Sequence, residues 1–124
     1  MRLTVRLSIE TLTGIRELKK IYEEELGGLK INLGDVVNKS YANIDIKWEE
    51  WVDINNQKIK LDYSNIEDTN EQDNNRTTLD LSEEVINVIK EMKEELPQIF
   101  KVSRVTTGFC IKLIVKAALI KYKN

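Results

Sequence analysis

The chain of 124 residues contains no histidine, one cysteine (Cys110) and one proline (Pro97). Histidine is the commonest metal ligand and the commonest general base, and a single cysteine cannot form an internal disulfide. Neither a nucleophile–base pair nor a glycine-rich phosphate loop is visible, so we expect no enzyme activity, no metal site and no cofactor. The longest apolar run, residues 109–120, contains two lysines. It is shorter than the roughly 20 residues that span a bilayer, and no signal peptide is visible, so we expect a cytoplasmic protein without a membrane partner.

Charge is distributed unevenly along the chain. The net charge is −2, but residues 45–75 alone carry −6, whereas residues 1–44 carry +1 and residues 76–124 carry +3. Local charge governs association with nucleic acids more than the total does. The two flanking segments are therefore compatible with a basic, nucleic-acid-binding surface.

The sequence contains an internal repeat. Residues 2–44 align without a gap on residues 76–118 after a shift of 74 positions. The identical pairs are Arg2/Arg76, Thr4/Thr78, Leu7/Leu81, Ser8/Ser82, Glu10/Glu84, Ile15/Ile89, Glu17/Glu91, Lys19/Lys93 and Gly34/Gly108. Each repeat is only about 45 residues long, which is near the lower limit for an independent domain, so we expect the repeats to share a core. We divide the chain into unit 1 (residues 1–44), a connector (45–75) and unit 2 (76–124).

Unit 1 begins with a strand pattern. Residues 2–7 alternate, so Leu3, Val5 and Leu7 are expected to face inward and the residues between them outward. Apolar residues then recur every three or four positions, which predicts an amphipathic helix that starts after Ser8 and runs to about residue 25. Two glycines at 27–28 are expected to end it, and Asn32 to cap a second helix.

Unit 2 repeats this plan. Residues 76–81 form the strand pattern, and Ser82 opens a helix that Pro97 is expected to close, which would make the following loop longer than in unit 1. Thr106 occupies the position of Asn32, and a long helix is expected to follow to about Tyr122. Because this last helix is apolar nearly all round, we expect it at the centre of the shared core.

A strand, a helix, a turn and a helix within about 43 residues resemble the ribbon–helix–helix family, the Arc/MetJ/CopG-type DNA-binding proteins. The segment RLTVRLS at residues 2–8 looks like the start of such a protein, and the resemblance covers roughly 90 of the 124 residues. It implies a mainly α fold with a short two-stranded antiparallel ribbon. Both units lie in one chain, so it also implies a tandem pseudo-dimer with an inserted connector.

The resemblance implies double-stranded DNA as the partner, with the ribbon lying in the major groove. The outward strand residues would then contact the bases: Arg2, Thr4, Arg6, Arg76, Thr78 and Asp80. For Asp80, an ion pair within the protein is as good an interpretation as a contact to cytosine. The starts of the second helices would hold phosphates through Asn32 and Thr106, with Lys30 and Arg104 beside them, although the carboxylate of Asp35 would repel a phosphate.

The biological role stays open among several alternatives. Tandem chains of this size resemble accessory proteins of plasmid transfer, which would imply a relaxase as a further partner and possible binding of a second copy at an adjacent site. Single-unit relatives are more often transcriptional repressors of their own operons or regulators of partition and copy number. An alternative of another class is an antitoxin or a protein-interaction adaptor.

The connector fits neither repeat. Apolar residues on both sides of Asn55-Asn56 allow a hairpin at 48–63, and the polar, acidic stretch 65–75 is expected to be a flexible linker. Trp48 and Trp51 both fall here. They could cover an edge of the core or bind a protein partner such as a relaxase.

Overall fold

The structure, a computed structural model, describes residues 1–61 and 76–123. Two strands, β1 (Arg2–Arg6) and β2 (Arg76–Asp80), pair antiparallel in a two-stranded sheet, which we call the ribbon. Five helices complete the described part of the chain: α1 (Ile9–Glu25), α2 (Leu33–Ala42), α3 (Glu50–Asn56), α4 (Glu83–Phe100) and α5 (Thr107–Lys123). The mainly α fold with a short antiparallel ribbon is confirmed.

The ribbon has one buried and one exposed face, as the alternation in both strands predicts. Val5 is 8% exposed and Leu79 is fully buried. In each strand, the residues immediately before and after this buried residue are exposed. Leu7 and Leu81, just beyond the strands, are also buried in the core. The apolar side of the ribbon therefore anchors it to the helices and leaves the polar side facing outward.

Serine caps start the first helix of each unit. The hydroxyl oxygen of Ser8 accepts a hydrogen bond from the amide of Thr11 at 3.1 Å, and that of Ser82 accepts one from Val85 at 3.2 Å. Such a cap satisfies one of the amides that a helix leaves without a partner at its start. The sharp change from strand to helix in both units follows from this local chemistry.

The first helices of the two units end within one residue of equivalent positions, and the expectation that Pro97 closes α4 is wrong. Proline removes one amide donor, but α4 continues to Phe100, whose ring packs edge-on against Phe109 with 5.4 Å between ring centroids. Lys101 then takes a left-handed conformation with φ 57°, as Gly27 does in unit 1 with φ 71°. The loop after α4 spans residues 101–106 and is not longer than its counterpart at residues 26–32.

Helix α5 lies at the centre of the core, as its apolar surface predicts. It contacts all four other helices, and eight of its residues are buried. Those residues are Cys110, Ile111, Leu113, Ile114, Val115, Ala117, Ala118 and Leu119. Within residues 1–61 and 76–123, no helix is long and apolar enough to cross a membrane.

The hairpin considered at 48–63 does not form, because residues 50–56 are helix α3. Trp51 and Ile54 are spaced by three residues, so the helix brings them to one face, and α3 contacts α5. Trp51 is 4% exposed and Ile54 is 6% exposed, while Trp48 is half-buried. The expected flexible linker at 65–75 lies outside the described residues.

Candidate nucleic-acid interface

The six residues expected to contact bases lie on one exposed face of the ribbon. The register pairs Arg2 with Asp80, Thr4 with Thr78 and Arg6 with Arg76. Directly opposed residues of an antiparallel pair project to the same side, and all six are exposed. The ribbon thus presents three arginines, two threonines and one aspartate on a single two-stranded surface.

The centre of this face is a pair of threonines. The hydroxyl oxygens of Thr4 and Thr78 lie 3.0 Å apart, within hydrogen-bonding distance. Each hydroxyl keeps further donor or acceptor capacity, because a hydroxyl has one proton and two lone pairs. The middle of the ribbon can therefore exchange hydrogen bonds in either direction with a ligand, and its two methyl groups offer apolar contacts.

The two ends of the face differ in charge. At one end Arg6 and Arg76 are opposite each other, and at the other end Arg2 is opposite Asp80. A carboxylate oxygen of Asp80 also lies 3.5 Å from the amino group of Met1. Asp80 therefore has an ion-pair partner within the protein, and 60% of its side chain stays exposed.

Glycines place the second helix of each unit against the ribbon. A Cβ atom on Gly34 would lie 2.5 Å from the backbone oxygen of Asp80, and one on Gly108 would lie 2.5 Å from that of Arg6. Only glycine allows such a close approach of helix and strand backbones. The start of α2 therefore abuts one end of the ribbon, and the start of α5 abuts the other.

The start of α2 is already occupied by a carboxylate of the protein. The side-chain oxygen of Asn32 accepts a hydrogen bond from the amide of Asp35 at 2.7 Å, and the carboxylate of Asp35 accepts one from the amide of Asn32 at 3.1 Å. This capping box stabilises the helix end. It also places a negative charge where a phosphate would otherwise benefit from the helix dipole.

The start of α5 has no such carboxylate. The hydroxyl oxygen of Thr106 accepts a hydrogen bond from the amide of Phe109 at 3.1 Å, and the first turn contains no acidic residue. The ammonium group of Lys93 donates a hydrogen bond to the hydroxyl of Thr107 at 3.1 Å. The helix start is therefore bordered by a cation, and Arg104 in the preceding loop is exposed.

Glu23 is a member of this surface that the sequence did not reveal. Its carboxylate accepts hydrogen bonds from Lys19 at 2.9 Å and from the amide of Ile31 at 3.0 Å, and it lies 3.9 Å from the ammonium of Lys30. The bond from Lys19, followed by that from Ile31, lowers the pKa of Glu23. Glu23 therefore partly neutralises Lys19 on α1 and Lys30 just before the start of α2.

The tryptophans of the connector lie elsewhere in the molecule, on and before α3. Trp51 belongs to the core. To bind a partner, the side chain of Trp51 would have to move out of the core. Trp48 is half-buried and is therefore the more accessible of the two tryptophans.

When the chain is compared with protein-family models, with curated proteins and with solved structures, none of them matches it.

Proposed function

We propose that the chain is a tandem ribbon–helix–helix protein whose two units form a pseudo-dimer and bind double-stranded DNA sequence-specifically. The symmetry of the ribbon supports the pseudo-dimer. The 74-residue offset between the repeats relates Thr4 to Thr78, and these two residues pair with each other. It also relates the pair Leu3–Leu79 to the pair Val5–Thr77, which is the pattern that a twofold axis through the central pair generates.

The glycine contacts obey the same relationship. Gly34 of unit 1 approaches the strand of unit 2 at Asp80, and Gly108 of unit 2 approaches the strand of unit 1 at Arg6. Both glycines and both strand positions are separated by 74 residues. The reciprocal exchange of contacts is typical of an isologous interface between two copies of one unit.

The observation that carries the DNA-binding proposal is the exposed six-residue face of the ribbon. A two-stranded ribbon fits the major groove, which is about 12 Å wide and exposes distinguishable base edges. Arginine can bond guanine in a bidentate manner, and threonine can donate, accept or contact the methyl group of thymine. Because Arg6 of one strand corresponds to Asp80 of the other, the preferred DNA sequence should be asymmetric.

The tandem arrangement favours a role as an accessory protein of plasmid transfer, in the cytoplasm, with a relaxase as a further partner. The alternative is a transcriptional repressor or a regulator of partition or copy number, in keeping with single-unit relatives. The position of the bound sequence distinguishes them: a site beside a nick site supports transfer, and a site within a promoter supports repression.

Replacement of Arg6 tests the role of the ribbon. We expect Arg6→Ala to weaken binding to the cognate duplex by about 1–3 kcal/mol, with little loss on random DNA, because base contacts are lost and most phosphate contacts remain. The control is Lys60→Ala, which removes an exposed cation near the far end of α5, where the ammonium of Lys123 donates to the backbone oxygen of residue 60. Equal losses for Arg6→Ala on both duplexes would contradict a base-contacting role.

A further inference from the structure

The two ends of the proposed DNA surface are electrostatically unequal. We define the α5 end by four exposed or half-exposed cations around the start of α5: Arg6, Arg76, Lys93 and Arg104. Gly108 joins this helix start to the strand at Arg6, so the cations belong to one continuous surface. No carboxylate among the described residues lies within ion-pair distance of any of the four.

The α2 end has cations too, but Lys19 and Lys30 lie within ion-pair distance of Glu23, and Arg2 lies opposite Asp80 in the register. Its cations are Arg2, Lys19, Lys30 and the amino group of Met1, and its carboxylates are Asp80, Glu23 and Asp35. Gly34 joins the start of α2 to the strand at Asp80, so these charges also form one surface. The side chains of this end therefore balance one another.

The inequality arises at three positions of the repeat. Lys19 and Lys30 of unit 1 correspond to Lys93 and Arg104 of unit 2, so the cations are retained. Two carboxylates are not retained, because Glu23 corresponds to Pro97 and Asp35 corresponds to Phe109. The third difference lies on the ribbon, where Arg6 adds a positive charge to the α5 end and its counterpart Asp80 adds a negative charge to the α2 end.

The arrangement at the α5 end is unfavourable without an anion. The start of a helix carries a partial positive charge, and cations are normally found at the opposite end. Here the ammonium of Lys93 lies 3.1 Å from the hydroxyl of Thr107, the first residue of the helix, and no acidic side chain occupies the first turn. Phosphate oxygens of a DNA backbone are anions of suitable geometry for such a site.

We propose that the interface has a fixed polarity, in which Lys93 and Arg104 at the α5 end supply most of the phosphate anchoring, Arg6 and Arg76 keep their base contacts, and Glu23 weakens the α2 end. The proposal rests on the proposed DNA-binding function and deepens it. Its consequence is that the protein binds its duplex in one orientation, with the strongly held half-site on the α5 side. The weakly held half-site then depends on base contacts from Arg2 and Thr4.

Matched replacements at equivalent positions test the polarity. On the duplex selected from a random pool, we expect Arg104→Ala to lower affinity by about tenfold and to reduce the salt slope by about 1. Lys30→Ala, the equivalent change in unit 1, should lower affinity by less than about threefold, since Glu23 already offsets that cation.

Replacement of Glu23 provides a test in the opposite direction. Glu23→Gln keeps an oxygen that can accept the hydrogen bond from the amide of Ile31 but removes the charge. We expect tighter DNA binding and a steeper salt dependence, because Lys19 and Lys30 become free to contact phosphates. The control is Glu24→Gln, which removes an exposed carboxylate one residue away and should change affinity much less.

Hydroxyl-radical footprinting of the wild-type complex measures the polarity itself. We expect protection of the DNA backbone to extend further on one side of the central motif. In the Arg104→Ala complex, this additional protection should be lost. Equal losses for Arg104→Ala and Lys30→Ala, or a symmetric footprint, would overturn the inference while the proposed function stands. Absence of any selected duplex would overturn the proposed function itself.

Discussion

The hydroxyls of Thr4 and Thr78 lie 3.0 Å apart, and the two residues are separated by the same 74 positions that relate the two repeats. Equivalent residues of two related units come together only on the symmetry axis between the units. This pair therefore marks where the proposed twofold axis crosses the ribbon, inside a single chain.

The first prediction concerns dilution. If β1 and β2 pair within one chain, the free energy of unfolding does not depend on protein concentration. We expect the denaturation midpoint, followed by circular dichroism or tryptophan fluorescence, to stay constant from micromolar to nanomolar protein. A midpoint that falls on dilution would show instead that the ribbon forms between two chains.

The second prediction concerns the glycines that join the helices to the ribbon. Gly108→Ala would place a Cβ atom 2.5 Å from the backbone oxygen of Arg6, and neither backbone can move without separating α5 from the ribbon. We expect a loss of about 1–3 kcal/mol in the free energy of unfolding, measured by chemical denaturation, and a similar loss for Gly34→Ala.

Gly14→Ala serves as the control for these replacements. Its new Cβ would lie 2.8 Å from Cδ1 of Leu119 and 3.1 Å from Cγ1 of Val115, which are side-chain atoms rather than backbone atoms. Alanine also favours the helix over glycine by up to about 1 kcal/mol, so we expect a small net change. Equal destabilisation by all three replacements would contradict the backbone contact as the cause.

The third prediction concerns the end of α4. Lys101 has φ 57°, a left-handed conformation that costs a residue with a Cβ atom about 1–2 kcal/mol. Lys101→Gly should therefore stabilise the protein by about 1 kcal/mol, because glycine takes this conformation without a Cβ penalty, as at the equivalent position 27 with φ 71°. Lys101→Ala is the control, because it removes the side chain but keeps the strain; a gain equal to that of Lys101→Gly would refute the conformational explanation.

The alternating and helical patterns made most of the fold predictable. The exposed and buried faces of the ribbon, the caps at Ser8 and Ser82 and the central position of α5 depend on local chemistry or composition, and the structure confirms them. The helical run through Pro97 was not predictable from local propensity, because the packing of Phe100 against Phe109 of the next helix accompanies it.

The candidate site was predictable only on the ribbon. The outward positions of Arg6 and Arg76 follow from the alternation in each strand, whereas the register that opposes them comes from the structure. The contacts of Glu23 depend on a loop that folds back onto α1. Helix α3 was mistaken for a hairpin because its short pattern around Trp51 fits both a helix and a strand. Packing against α5 selects the helix.

The fourth prediction concerns pH. Burial raises the pKa of Cys110 to about 11, whereas an unfolded cysteine has a pKa near 8.5. Between these values the folded state keeps a proton that the unfolded state has lost, so the free energy of unfolding falls as pH rises. We expect the stability of the wild type to fall more steeply than that of Cys110→Ala between about pH 8 and pH 10.

Comparison of the two slopes removes the contributions of other groups with shifted pKa values, among them Tyr22, whose pKa is raised by burial, and Lys116, whose pKa is lowered by burial. The cavity left by Cys110→Ala lowers the absolute free energy of unfolding. It does not affect the comparison, because only the pH slopes are compared. Identical slopes for the two proteins would show that the thiol of Cys110 does not keep its proton in the folded state.

Selection from a random pool of duplex DNA, followed by titration of the selected duplex at two salt concentrations, addresses the DNA-binding proposal itself. We predict enrichment of a short asymmetric motif that is bound far more tightly than random DNA. Its affinity should fall steeply with salt, because counterions are released when cations contact phosphates. No enrichment, or equal binding to every sequence, would mean that Arg2, Thr4, Arg6 and their partners on β2 are only a solvated surface.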